Sequence, residues 1–198
     1  MTLNFQTWMQ AVWTSLMEPS VAAEKALQMR LPTGALWTGL ALAAVGNVLL
    51  LAGLQLLSPM PVAMQEQVFQ ATPFGYLALV GVFLVVLVFG LHQAGRMLGG
   101  VGTFNGTLTI VVWFQAISLT LEAIQVVLVL ITPALGALFG MLAFGAMLYC
   151  FVNFVRVLHG FDNFLKAVGA IVIALIGTAF VAGIALTMLG ISVPGGTT

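Results

Sequence analysis

Glu122 is the one acidic residue set deep within a long apolar stretch of this chain. Gln115, Ser118 and Gln125 stand with it at steps of three, four and three, so the four side chains share one face of a helix. A carboxyl flanked by a hydroxyl and two amides can relay a proton or hold a cation, and it can equally close a hydrogen bond between helices. A relay uses several ionisable groups along a path, and this stretch offers one, which favours the hydrogen bond. A charge near the centre of a spanning helix costs roughly 2.5–3.5 kcal/mol on insertion scales. The stripe is therefore expected to face the bundle interior or a partner, not lipid tails. Counted from the ends of the apolar stretches, Asn47 lies at a similar depth, with Tyr149 and Thr178 within a turn or two. None is cationic, and Arg156 lies too far along its own stretch for an ion pair, so the expectation is a neutral, protonated Glu122.

Other chemistry is sparse. His92 and His159 fall near the ends of their stretches, beside Arg96 and Arg156. Two His and Asp162 on separate elements fall short of the three or four ligands a metal takes. His92 reads as an interfacial side chain, and His159-Gly160-Phe161-Asp162 as a turn whose Asp162 caps the next helix. Cys150 is alone, so it forms no internal disulfide and reads as a small buried hydrophobe. No Ser/His/Asp order, HExxH, P-loop or dinucleotide glycine pattern stands in a strand–helix context. These residues argue against an enzyme and against a bound cofactor or metal.

The elements that must position these groups are membrane helices. Of 198 residues, 62% are hydrophobic and 5% charged, against about 25% charged in a soluble domain; mean hydropathy is +1.18. Five apolar stretches, each roughly 20–25 residues long, suit a ~30 Å hydrocarbon core. They read as Thr33–Leu57, Pro73–Gly95, Thr107–Ile131, Ala134–Leu158 and Phe164–Gly190. Gly136 with Gly140, and Ala179 with Gly183, are small-residue pairs that let helices approach; packing within one chain is the default for them. The predicted fold is all-α: a polytopic bundle of five transmembrane helices, preceded by a short amphipathic interfacial helix. Residues 1–31 form the cytoplasmic amphipathic segment, 32–190 the transmembrane domain and 191–198 a short disordered tail.

All five basic residues fall on one side of this arrangement: Lys25 and Arg30 before the first stretch, Arg96 after the second, Arg156 and Lys166 around the fourth–fifth connection. Short loops rich in Lys and Arg stay in the cytoplasm. The N-terminus is thus expected inside and the C-terminus outside. No basic region, apolar core and small-residue cleavage site mark a signal peptide in the first 31 residues. Zero net charge argues against a nucleic-acid partner.

Before the first stretch, Phe5, Trp8, Met9, Val12, Trp13, Leu16 and Met17 recur at helical steps, opposite Gln6, Thr7, Gln10, Thr14 and Ser15. Two Trp on an uncharged amphipathic helix suit the headgroup boundary, with a protein surface as the alternative seat for that face. Glu18-Pro19 starts a second short helix, which stops before Leu31-Pro32.

Two segments carry a resemblance. One is Gly99-Gly100-Val101-Gly102-Thr103-Phe104-Asn105-Gly106-Thr107-Leu108, a glycine-rich loop entering the polar-striped third stretch. The other is Arg156-Val157-Leu158-His159-Gly160-Phe161-Asp162-Asn163-Phe164-Leu165-Lys166-Ala167, the turn into the last. With five spans and the Ala-rich helix after Pro19, the chain resembles the Yip family of Rab-GTPase-interacting membrane proteins, in particular its bacterial branch, over roughly residues 15 to 190. The resemblance implies a five-helix domain in the bacterial inner membrane that associates with itself or with other membrane proteins. Eukaryotic relatives are linked to Rab GTPases, vesicle traffic and membrane shaping. Their long cytosolic N-terminal domain with its acidic-Tyr-Gly-Pro motif has no counterpart here, which argues against a Rab-type partner. No catalytic or ligand position carries over. The leading expectation is a non-enzymatic membrane interaction protein or accessory subunit. The alternative is a small transporter or channel using the Glu122 stripe.

Overall fold

Apolar runs bounded by Pro, Gly and Thr become seven helices among the described residues, which are 4–57 and 73–188 of a computed structural model. They are α1 (Phe5–Met17), α2 (Pro19–Gln28), α3 (Thr33–Leu57), α4 (Pro73–Met97), α5 (Phe104–Ile131), α6 (Pro133–His159) and α7 (Phe164–Met188). Helices α3 to α7 are each long and apolar enough to cross a bilayer, so the protein is an all-helical integral membrane bundle. The expected loop between the first two spans and the expected disordered tail lie outside the described residues.

The helix ends follow local chemistry. Pro19 and Pro133 open α2 and α6 at first-turn positions, where the missing N–H is no loss. The Thr103 hydroxyl accepts from the Gly106 N–H and the Thr132 hydroxyl from the Leu135 N–H, capping α5 and α6. Helix α5 therefore begins three residues earlier than its apolar run suggests. Helix α7 is capped by Asn163, whose side chain accepts from the Leu165 N–H at 2.9 Å. The expected Asp162 cap is thus corrected by one position. Helices α4 and α6 both close on a left-handed glycine, Gly99 (φ 83°) and Gly160 (φ 65°). In each case the following N–H reaches back to a carbonyl five residues earlier: Gly100 to Gly95 and Phe161 to Arg156.

Helices α3, α5, α6, α7 and α4 pack in that order as a ring, with α4 again touching α3. Helices α1 and α2 lie outside the ring along α5 and α6. The connections α2–α3, α4–α5 and α6–α7 meet at one end, which holds all five basic residues and is termed the basic end. There Asn105 donates to the Leu31 carbonyl and accepts from the Thr33 hydroxyl.

Packing is uneven along the bundle. The buried hydrophobic residues of α3 stop at Ala44, those of α4 begin at Leu84, those of α5 stop at Leu121, those of α6 begin at Met147 and those of α7 stop at Ala174. In α3, α6 and α7 these buried residues keep to the basic half, and in α4 and α5 they reach a little past mid-helix, so the core is biased toward the basic end. Beyond it, Leu56, Leu138, Met141, Phe144, Ile176 and Phe180 are all more than half exposed.

Candidate functional site

Glu122 follows directly on Leu121, the last buried hydrophobe of α5, so it stands where the packed core ends. Its partner is on its own helix: the Ser118 hydroxyl donates to one carboxyl oxygen at 2.8 Å. Gln115 accepts from the Asn47 amide of α3 at 3.5 Å, and Asn47 also donates to its own Ala43 carbonyl at 2.8 Å. Gln125 donates to the Gly136 carbonyl of α6 at 3.3 Å. The stripe therefore faces neighbouring helices, as its cost in lipid requires, and it is split into three separate contacts.

Two open clefts meet at this stripe. One, of ≈ 330 Å³, lies between α5 and α6 and is lined by Ser118, Glu122 and Gln125 with Phe114, Phe144 and Phe151. The other, of ≈ 320 Å³, lies between α3, α4 and α5 and is lined by Asn47, Tyr76, Glu122 and Gln125 with Leu50 and Val129. Glu122 and Gln125 are common to both. Tyr76 was not expected here; nothing in one sequence sets its register on α4 against Glu122. The other two expected neighbours are elsewhere. Tyr149 points outward, half exposed. Thr178 is buried against Gly90 of α4, its hydroxyl without a partner among the described residues.

The small pair Gly136 and Gly140 explains the close approach of α6 to α5. A Cβ at Gly136 would run into Val129, and one at Gly140 into Gln125. This pair packs within the chain, while at Gly183 there is open space for a Cβ.

The amphipathic α1 divides its apolar face. Trp8, Met9 and Leu16 are half-buried and Val12 is buried, Val12 packing with Ile117 and Leu121 of α5 and Met147 and Phe154 of α6. Phe5, Trp13 and Met17 are exposed. Ser15, expected on the wet face, is fully buried: it accepts from the Trp113 indole at 3.2 Å and donates to the Ala11 carbonyl. The Trp8 indole donates to the Thr120 hydroxyl at 3.1 Å, and the two indole rings meet edge to face. Protein thus takes the side of α1 that runs through Trp8, Val12 and Ser15, while Phe5, Trp13 and Met17 stay open to lipid or a partner. On α2, Ser20 receives the Arg156 guanidinium at 3.4 Å.

A second arrangement, at the basic end, escaped sequence reading. His159, the last residue of α6, is 1% exposed, and neither ring nitrogen has a hydrogen-bond partner among the described residues. Its ring stacks on Phe161 and lies in a cradle of glycines. A Cβ at Gly95 would overlap the ring, one at Gly100 would lie 2.7 Å from the His159 Cβ, and one at Gly102 would lie 2.6 Å from Nδ1. The Val101 N–H donates to the His159 carbonyl at 3.0 Å. His92, expected at the interface, packs edge-on against Phe104 with its Nδ1 buried. The glycine-rich loop is a mould around one imidazole. Among the described residues no group of three or more His, Cys, Asp or Glu is placed to hold a metal ion.

A family model described as Yip1 domain matches residues 13–192, most of the chain. No curated protein and no solved structure matches it.

Proposed function

The chain belongs to the Yip1-domain family, and from that premise we propose that it is a non-enzymatic interaction protein of the bacterial inner membrane, joining other membrane proteins or a second copy of itself. An accessory subunit of a larger membrane complex is the specific form this takes. The observation that carries the reading is the uneven packing. The far halves of the spans bury few side chains against one another and present large apolar groups such as Leu138, Met141 and Phe144, surface that lipid or a partner helix must cover. The gathering of all five basic residues at one end supports a cytoplasmic N-terminus and an external C-terminus. A Rab-type GTPase has no part in this reading.

The test is the mass and composition of the particle in nanodiscs drawn from its native membrane. A fixed stoichiometry with another membrane protein, or a defined homo-oligomer, is expected; a lone monomer overturns the reading. Cysteines introduced at Lys25 and Thr132 report orientation, because native Cys150 is buried. Membrane-impermeant maleimide is expected to reach only position 132 in intact cells.

The second reading is a small transporter or channel, favoured by the two clefts that meet at Glu122. Substrate-dependent flux in proteoliposomes, lost in Glu122→Gln, is its test.

A further inference from the structure

We propose that Glu122 anchors a binding site for an amphiphilic amine, with the ammonium on the carboxylate and the apolar tail in the adjoining clefts. The site draws on the residue of the second reading and needs no transport, so a flux assay and a binding assay fail independently.

Three observations carry it. First, the two clefts, ≈ 330 and ≈ 320 Å³, share Glu122 and Gln125, and no other carboxylate and no basic side chain lines either. Each volume is within the range of small-molecule sites, which are mostly apolar with a few convergent polar groups. Second, the carboxyl can accept more than the one bond that Ser118 gives it. Ser118 donates to one oxygen, and a carboxylate offers about four lone-pair sites over its two oxygens. Gln125 spends its amide N–H on the Gly136 carbonyl, which leaves its own carbonyl oxygen to accept. Two side chains that can accept thus line both clefts, and an ammonium brings donors for both. Third, the walls are Phe114, Phe144, Phe151, Leu50, Leu54 and Val129.

The walls decide the kind of cation. A hard metal ion takes six or more oxygens, or keeps its waters, and these walls supply neither. An ammonium with an alkyl tail brings its own apolar surface, whose burial offsets the desolvation of the charged head.

The experiment uses the full chain in phosphatidylcholine nanodiscs. The probe is an alkyl amine bearing a diazirine at its tail end, with the matching alcohol as its control. After irradiation, label is expected in peptides spanning Phe114–Gln125 and Gly140–Phe151, competed by octylamine and not by octanol. Glu122→Gln is expected to reduce labelling about tenfold or more, the scale of one charge-assisted hydrogen bond. Glu122→Asp is expected to retain it, and matching thermal stability of the variants shows that folding is intact. Suppression by phosphatidylethanolamine assigns the site to a lipid amine, and indifference to it assigns the site to a soluble one. Equal labelling by the alcohol, or labelling unchanged in a folded Glu122→Gln protein, overturns the proposal.

Discussion

The Trp8 indole N–H donates to the hydroxyl of Thr120, 112 positions further along the chain. Seven residues away on both helices, the Trp113 indole donates to Ser15 in the opposite sense. Thr120 and Ser15 each donate in turn to the carbonyl four residues back in their own helix. The two bonds match in spacing and run in opposite directions, so α1 climbs alongside α5 toward the level of Glu122. A helix resting flat on the membrane surface would not reach Thr120.

Ser15→Leu separates these two placements. It makes the helix more apolar, which a helix held only by lipid would tolerate or gain from. Packed as Ser15 is, the larger side chain is expected to cost about 1–3 kcal/mol, the usual scale of overpacking, read as a lower thermal midpoint in detergent. A midpoint unchanged or raised would return α1 to the membrane surface.

Gly95→Ala puts a methyl group into the His159 ring. Helix propensity alone predicts a gain of about 1 kcal/mol, while overpacking costs about 1–3 kcal/mol or more. Net destabilisation is expected. Adding His159→Ala to Gly95→Ala should recover much of it, so a double-mutant cycle on thermal stability yields a clear coupling. Additive effects would mean the cradle is not rigid.

Glu122→Gln keeps the shape and the bond to Ser118. Side-chain hydrogen bonds between membrane helices average about 0.6 kcal/mol, so the variant should unfold within about 1 kcal/mol of the parent. A loss of about 3–5 kcal/mol, the mark of a broken buried ion pair, would show that an ionised Glu122 has a cationic partner.

Asn163→Ala removes the cap of α7 and is expected to cost about 1 kcal/mol. Asp162→Ala, one position earlier, should cost less. The reverse order would restore the cap to Asp162.

The helices were legible because each span is an unbroken apolar run closed by Pro, Gly or a capping hydroxyl. The start of α5 was not, because Phe104-Asn105-Gly106 reads as loop until Thr103 is seen to take the Gly106 N–H. The inward face of Gln115, Ser118, Glu122 and Gln125 followed from spacing and desolvation cost. Their partners did not follow, since depth counted from helix ends ignores rotation: Tyr149 has the right level and the wrong side. The bias of the core toward the basic end is invisible in the sequence, because lipid-facing and protein-facing residues are equally apolar. The amphipathicity of α1 is plain in the sequence, yet the same pattern puts Ser15 on the wet face. A small hydroxyl satisfied by its own helix is cheap to bury, and only Trp113 reveals that it is buried. His159 among its glycines left no trace that one sequence could show.

The docking of α1 also sets an order of events in synthesis. Trp8 is added to the chain 112 residues before Thr120. At about 5–20 residues per second that is a wait of roughly six to twenty-two seconds. During it α1 has neither α5 nor α6 to pack on, and its thirteen residues carry no charge to hold them in water. The face that later grips Trp113 and Ile117 is the same face that can rest on a bilayer. The first helix made is among the last to find its place, and its amphipathic pattern serves both the waiting and the docked position.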